Sequence, residues 1–584
     1  MSSFFTVPGA QKKRKRPEAS EQPKKRVAAS KSAGKAPSKN AGPTKKRVER
    51  DDESISGSDS DDDGSLDSAS VASDVEMEDS ESEDEEDETF ADKRRQLAER
   101  YLENLKEQEH VDQAGFDAAD IDRDYLAERL QEDVAEGKGR VYRQLASEFA
   151  FDNVSRTFFR SNTNAVTAIA VCDPYIYTTT KDLYLHKWKA QGLPQYQYPQ
   201  TTRRKPKKPP APPKKQPSLE AWVKGDTRKS KDKNYQRHTD RILAVAASPD
   251  GKYVATGGAD NKLIIYDAHT LKPIKIWTHH RDSVTGLVFR RGTNQLYSCS
   301  KDRTVKVWSL DEMAYVESLF GHQDEILDVD ALAQERCVSV GARDRTARLW
   351  KVAEETQLVF RGGAVDKKSR PSGVSARSML HEGSMDRVAM IDDDLFVTGS
   401  DNGALALWSV QKKKPVYIEP IAHGIDPALD PKEASAEQNP DPAIVPAPTP
   451  RWITAIRTIP YSDVILTGSW DGHIRVWQLS EDKRKIEFRG VLSKPEDQEQ
   501  ESTEENAQGP INGVVNDIDL FERGDRGKDG LCVVVAVGKE HRLGRWNPPA
   551  KVGRNGGVVF EIPRIQRQMV MNGTNESSDG EQDE

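Results

Sequence analysis

The 584-residue chain predicts an all-β fold: a seven-bladed ring of four-stranded sheets, preceded by a disordered charged N-terminal tail and a short α-helical arm. Three observations predict it. Seven large anchors, Trp188, Tyr266, Trp308, Trp350, Trp408, Trp477 and Trp546, each stand six residues after Asp182, Asp260, Asp302, Asp344, Asn402, Asp471 or Glu540. The clearest copies, CSKDRTVKVW from Cys299 to Trp308 and GARDRTARLW from Gly341 to Trp350, recur at a period of about 42 residues. Such a unit cannot bury its apolar face alone, so copies must stack, and seven of them close a β-propeller. Finally, 35% hydrophobic and 31% charged residues are too polar for a chain folded end to end, which places the excess in tails and insertions.

The tail, residues 1–92, is poor in large apolar side chains and cannot offset chain entropy by burial. Its basic half, residues 11–50, carries 15 Lys and Arg against three Glu. The cluster Lys12, Lys13, Arg14, Lys15 and Arg16 reads as a nuclear-targeting signal or a solvated basic arm. Residues 51–92 hold 20 Asp and Glu and no Lys or Arg, so the net charge of −9 hides a remainder of −9 + 20 = +11. Ser58, Ser60, Ser80 and Ser82 each precede an acidic residue by three, the pattern acidophilic kinases use; an unmodified acidic spacer is the alternative. The arm, residues 93–149, places Leu97, Tyr101, Leu102 and Leu105 on one helical face. Leu126, Leu130 and Val134 continue the pattern, and Val141 and Leu145 resume it after a glycine break. The ring spans 150–563, and a disordered acidic tail, 564–584, follows it.

An Asp or Asn in a tight turn can bond back to nearby backbone and hold the turn, while a ring six residues on packs between sheets. On these residues the chain resembles the WD40-repeat family from about Ser155 to Pro563. The resemblance implies a hydrogen-bonded chain of His, Ser or Thr, Asp and Trp in each unit. His238, Thr256 and Asp260 match it in the second unit, with Tyr266 for Trp. The third unit is complete with His280, Ser298, Asp302 and Trp308. His322, Asp344 and Trp350 match in the fourth, with Val340 where the hydroxyl belongs. Thr467, Asp471 and Trp477 match in the sixth, with His423 stranded before an insertion; Ala536 and Glu540 mark a degenerate seventh.

Successive anchors keep the repeat period from Tyr266 to Trp308 to Trp350 and stand further apart elsewhere, which places insertions near 191–237, 362–385, 424–450 and 493–510. The first contains KPKKPPAPPKK, with Lys205, Lys207, Lys208, Lys214 and Lys215, followed by Trp222 and Tyr235. A basic tract with embedded aromatics suits phosphate neutralisation and base stacking. The second holds a small basic patch, Lys367 to Arg370, that reads as a solvated loop tip. Another candidate RNA surface is the row flanking the turn Asp residues: Lys181, Lys262, Lys301, Arg303, Arg343, Arg345, Lys539, His541 and Arg542. Like charge around one mouth of a ring attracts a polyanion. Arg after the turn Asp is also common in such repeats, where it pairs with acidic neighbours.

The segments YLENLKEQE from Tyr101 and RLQEDVAEGKGRVYRQLA from Arg129, directly before the ring, resemble the U3 small nucleolar RNA-interacting WD-repeat proteins of eukaryotes. That resemblance implies a non-catalytic core component of the U3 small nucleolar ribonucleoprotein in the nucleus and nucleolus. It would be held on the box B/C region of the U3 RNA beside a kink-turn-binding protein, and would act in pre-ribosomal RNA processing and small-subunit biogenesis. A nuclear WD-repeat adaptor for chromatin, histones or a ubiquitin ligase is the alternative. No GxxxxGK[ST], GxSxG or HExxH motif is present, so the expectation is no enzyme, cofactor or small-molecule substrate. Cys172, Cys299, Cys337 and Cys532 lack zinc-ligand spacing and read as reduced core thiols, and no apolar run approaches membrane-spanning length.

Overall fold

The computed structural model describes residues 129–131, 134–135 and 141–565, apart from 163, 195, 198–212, 233, 363–383, 428–430, 432–436, 438–448, 494–510 and 545–552. The tail with Lys12 to Arg16, the helical positions from Leu97 to Leu126, the 367–370 basic patch and most of the last three insertions lie outside the described residues.

Seven antiparallel four-stranded sheets form the ring. Blade 1 comprises Val166–Cys172, Tyr175–Thr180, Tyr184–Lys189 and Ser218–Lys224. Blades 2 to 6 run from Ile242 to Trp277, Val284 to Phe320, Ile326 to Arg361, Met385 to Glu419 and Ala455 to Val491. Blade 7 takes Val514–Arg523, Gly530–Gly538 and Gly556–Ile562 from the end of the ring, and Ser155–Phe159 from its beginning. Ser155–Phe159 pairs antiparallel with Gly556–Ile562, which ties the two ends of the ring together.

The turn between the second and third strands is built the same way in blades 1 to 6. The residue after the turn Asp or Asn is left-handed: Leu183, Asn261, Arg303, Arg345, Gly403 and Gly472 all have φ between 52° and 79°. In blades 2 to 6 the carboxylate or amide oxygen accepts the backbone N–H two residues on, as Asp302 does from Thr304 at 3.0 Å and Asp471 from His473 at 3.1 Å. That bond is why Asp or Asn stands there. Between blades, large rings meet across the sheets. Trp277 of blade 2 stacks on Trp308 of blade 3 with centroids 4.4 Å apart, and Phe360 of blade 4 meets Phe396 of blade 5 edge-on at 5.1 Å.

Three sequence expectations are corrected. Trp546, which lies outside the described residues, is not the seventh anchor. The third strand of blade 7 begins at Gly556, and Phe560, opposite Val533, occupies the register that Trp308 holds opposite Leu296, packing on blade 6 as Trp308 packs on blade 2. The spacing of Trp546 from Glu540 is a coincidence inside the long connection 539–555. The insertion near 191–237 is not wholly insertion, since Ser218–Lys224 is the outer strand of blade 1.

The third correction concerns the arm. Residues 129–131 and 134–135 are helical, but the pattern does not resume at Val141 and Leu145. Residues 141–154 form a strap across blades 6 and 7. Arg143 bridges Ser462 and pairs with Glu522, and the Leu145 and Ala146 N–H groups both donate to Asp463 Oδ1 at 2.7 and 3.1 Å. Donors committed to that carboxylate are not available to helix carbonyls. Leu145, Phe149, Phe151 and Val154 are buried in the cluster shared by blades 6 and 7.

Candidate nucleic-acid interface

The hydrogen-bonded chains of the repeats brace one face of the ring, called here the turn face. In blade 3, His280 joins Asp302 through Nδ1 at 2.9 Å and Ser298 through Nε2 at 2.8 Å, and Trp308 Nε1 donates to Ser298 at 2.8 Å. Blade 4 is complete too, because Ser339 supplies the hydroxyl in place of Val340. It lies 2.8 Å from His322 Nε2 and accepts from Trp350 Nε1 at 2.8 Å, while His322 Nδ1 is 2.8 Å from Asp344. The turn after Ser339 is one residue longer than its counterparts, which shifts the count by one. Blade 6 is complete as well. His423 is not stranded but reaches Asp471 at 2.9 Å and Thr467 at 2.8 Å across the insertion, and Trp477 donates to Thr467 at 2.8 Å. Blade 2 keeps His238, Thr256 and Asp260 in contact.

These groups titrate as structural residues. Burial pushes His280 and His322 below the usual imidazole range, against the pull of Asp302 and Asp344. Burial alone would raise Asp302; the hydrogen bond and charge of His280 and the Thr304 hydroxyl outweigh it and hold the carboxyl low. Asp471, opposed by burial in the same way, is held down to about 2 by His423 and Arg475.

Around this core the predicted basic row divides. Arg303, Arg343 and Arg345 are exposed on the turn face of blades 3 and 4, as is Lys539 on blade 7, whereas Lys262 is half-buried and His541 buried. Lys301 pairs with Glu325 at 2.9 Å and Lys181 with Glu540 at 2.7 Å, so part of their charge is used within the protein. Arg542 is a correction. It is 2% exposed and points down the ring axis, donating to the carbonyls of Thr285 and Leu327 at 2.8 and 3.0 Å and to Leu243 at 3.5 Å. One side chain thus ties blade 7 to blades 2, 3 and 4, and it is not available to an RNA. Burial and the neighbouring Arg387 bring it down to about 10.

Below Arg542 a cavity of about 400 Å³ follows the axis, lined by the innermost strands. Its charged residues come from a pattern that repeat spacing does not reveal, Asp-x-Asp on the inner strands of blades 4 and 7. Asp328 and Asp330 accept from the N–H groups of Val388 and Met390 in blade 5. Asp517 and Asp519 accept from Ile169 and Val171 in blade 1. Arg387 pairs with Asp328 and Asp517, each at 3.4 Å, and Arg457 with Asp519 at 3.1 Å and Asp330 at 3.8 Å. Burial pushes Asp330 up to about 6 against the pull of Arg457. Acids at alternate positions of an otherwise apolar strand are the signal that could have found them, since residues two apart share one face.

The two candidate basic surfaces lie on opposite faces. The connection holding Lys214 and Lys215 joins the third strand of blade 1 to its fourth, on the face away from the turns, and both lysines are exposed. Gln197 clamps Lys214 there, and Tyr196 donates to Asp529 of blade 7 at 3.1 Å. Lys205, Lys207 and Lys208 lie outside the described residues. The strap, through Tyr461, Asp463 and Glu522, is on this same far face. Among the described residues no group of His, Cys, Asp and Glu could hold a metal ion, and the four cysteines are free thiols.

Seven four-stranded blades, six of them with an Asp or Asn turn, define a WD40 propeller, and the family model described as "WD domain, G-beta repeat" matches residues 229–267, 271–309, 314–351 and 446–478. Similarity extends well beyond the repeats. The chain is 42% identical to an uncharacterized WD repeat-containing protein of Schizosaccharomyces pombe, over 81% of this chain and 85% of that one. It is 35% identical to Ribosomal RNA-processing protein 9 of Saccharomyces cerevisiae, over 80% and 88%. With U3 small nucleolar RNA-interacting protein 2 of Homo sapiens the figures are 32%, 82% and 83%. A solved structure of U3-55K superposes with a TM-score of 0.52 at 30% identity, covering 71% of this chain and 99% of the other. The chain belongs to the family of Ribosomal RNA-processing protein 9 and U3 small nucleolar RNA-interacting protein 2.

Proposed function

We propose that the protein is a non-catalytic component of the U3 small nucleolar ribonucleoprotein, acting in pre-ribosomal RNA processing in the nucleus and nucleolus. The observation that carries this reading is that similarity to relatives named for ribosomal RNA processing and for interaction with U3 small nucleolar RNA runs through most of both chains, beyond the repeats that any propeller shares. The ring offers a rigid platform whose tetrad histidines are consumed by structure. The RNA partner is the U3 small nucleolar RNA at its box B/C region, beside a kink-turn-binding protein and other processome proteins. On the turn face Arg303, Arg343 and Arg345 contact phosphates, and Lys214 and Lys215 do so on the far face, joined by Lys205, Lys207 and Lys208. Such contacts read RNA shape and backbone rather than sequence.

Crosslinking with sequencing of the bound RNA on tagged protein from cells tests the reading. Reads are expected to pile up on one small nucleolar RNA. Recovery of histones, or of a ubiquitin-ligase complex, with no enriched RNA would overturn it in favour of an adaptor role.

A further inference from the structure

Two basic surfaces on opposite faces of a ring raise the question of what joins them, and the outer edge of blade 1 leads from Lys214 and Lys215 towards the turn face. Ser218–Lys224 starts beside those lysines and ends at Lys224, next to the turn-face loop that bears Arg228 and Arg237. Its length is roughly 20 Å at a strand's rise per residue. Along it stands Trp222, 57% exposed. Beside it a row of rings runs along the neighbouring third strand: Tyr184 lies 5.7 Å from Trp222, His186 stacks on Tyr184 at 5.3 Å and 10°, and Trp188 follows at 5.9 Å. Lys224 Nζ sits 4.9 Å from the centre of the Tyr184 ring. An exposed indole flanked by a rigid row of rings loses little entropy when a base stacks on it, and the lysines beside it supply phosphate contacts.

Other blade edges also expose aromatics, but beside acids. Tyr315 and Phe320 of blade 3 share their strand with Glu317, and Phe488 of blade 6 adjoins Glu487. On blade 1 the sole acid of the strand, Glu220, is within 3.6 Å of Lys187. We propose that the outer edge of blade 1 is a track for single-stranded RNA, in which Trp222 stacks on an unpaired base while Lys214, Lys215, Lys224 and Arg237 hold the flanking phosphates. This rests on the RNA-binding reading above and gives that RNA a path around the rim.

The test uses the purified full-length protein and a fluorescein-labelled RNA of mixed sequence about 12 nucleotides long, within the span such surfaces cover, as single strand and as duplex, titrated over a range of salt. Trp222→Ala should weaken single-strand binding about 5- to 100-fold, as loss of one stacked base predicts, with an unchanged salt slope. Trp222→Phe should restore most of the affinity. The triple change Lys215→Gln, Lys224→Gln and Arg237→Gln should instead lower the slope. Unchanged single-strand affinity in Trp222→Ala, or an equal loss for duplex, would overturn the track. Both arms are independent of crosslinking in cells: a failure there with a Trp222 effect here would reject the U3 assignment and keep the track.

Discussion

Ser339 serves both His322 Nε2 and the Trp350 indole N–H, so Ser339→Ala should cost about 1–3 kcal/mol by leaving two polar groups unpaired in the core. Chemical denaturation checks this. The tetrads also set a pH dependence. A histidine whose folded pKa is depressed is neutral in the fold, while the unfolded chain takes up its proton first as pH falls below about 6.5. Stability from His322 is thus present above that value and is lost as pH falls. The gap in melting temperature between wild type and His322→Gln should narrow between pH 7 and pH 5. Arg303 and Arg345 give a separation of roles. Their left-handed φ of 68° and 52° suits glycine better than arginine, so Arg303→Gly with Arg345→Gly should leave the melting temperature equal or higher. The same pair should lower the salt slope of RNA binding by up to about two.

Elements whose signal is local are legible in the sequence, and those completed from a distance are not. The turn Asp and its anchor lie within one hairpin, so blades 1 to 6 can be placed from spacing alone. Even there the margin is one residue, since the lengthened turn of blade 4 moves the hydroxyl from Val340 to Ser339. Blade 7 closes with a strand that begins only at Gly556, well past the end of its second at Gly538, and its anchor register holds Phe560, so a rule seeking Trp finds Trp546 instead. His423 meets Asp471 only after the insertion between them is looped out, which sequence separation conceals. Of the candidate site, the exposed arginines of the turn face are legible because turns are exposed. Arg542 is not, because nothing local tells a loop side chain that turns into the axis from one that turns out. The strap reads as helix for a similar reason: the carboxylate that takes its N–H groups belongs to blade 6, most of the ring away along the chain. Asp463→Ala should free it. Hydrogen exchange at Leu145 and Ala146 should rise steeply while exchange in the inner strands of blades 2 and 3 stays unchanged.

The ring holds together along its axis as well as at its rim. Arg542 bonds three blades beyond its own, so Arg542→Met should leave buried carbonyls of blades 2, 3 and 4 unpaired. A loss of more than about 2 kcal/mol is expected, read by urea denaturation. Lys539→Gln, on the same connection but exposed, serves as the control with little change.

During synthesis the strand Ser155–Phe159 waits for its partner, Gly556–Ile562. A ribosome adding roughly 5–20 residues per second makes the second about 20–80 seconds after the first. Until then the first strand has no neighbour, and the strap beside it lacks Pro563, Arg564 and Ile565, which hold it at Glu148 and Ala150. The strap is thus made before every blade and is among the last pieces to find its place, so its docking reports that the whole ring has been synthesised.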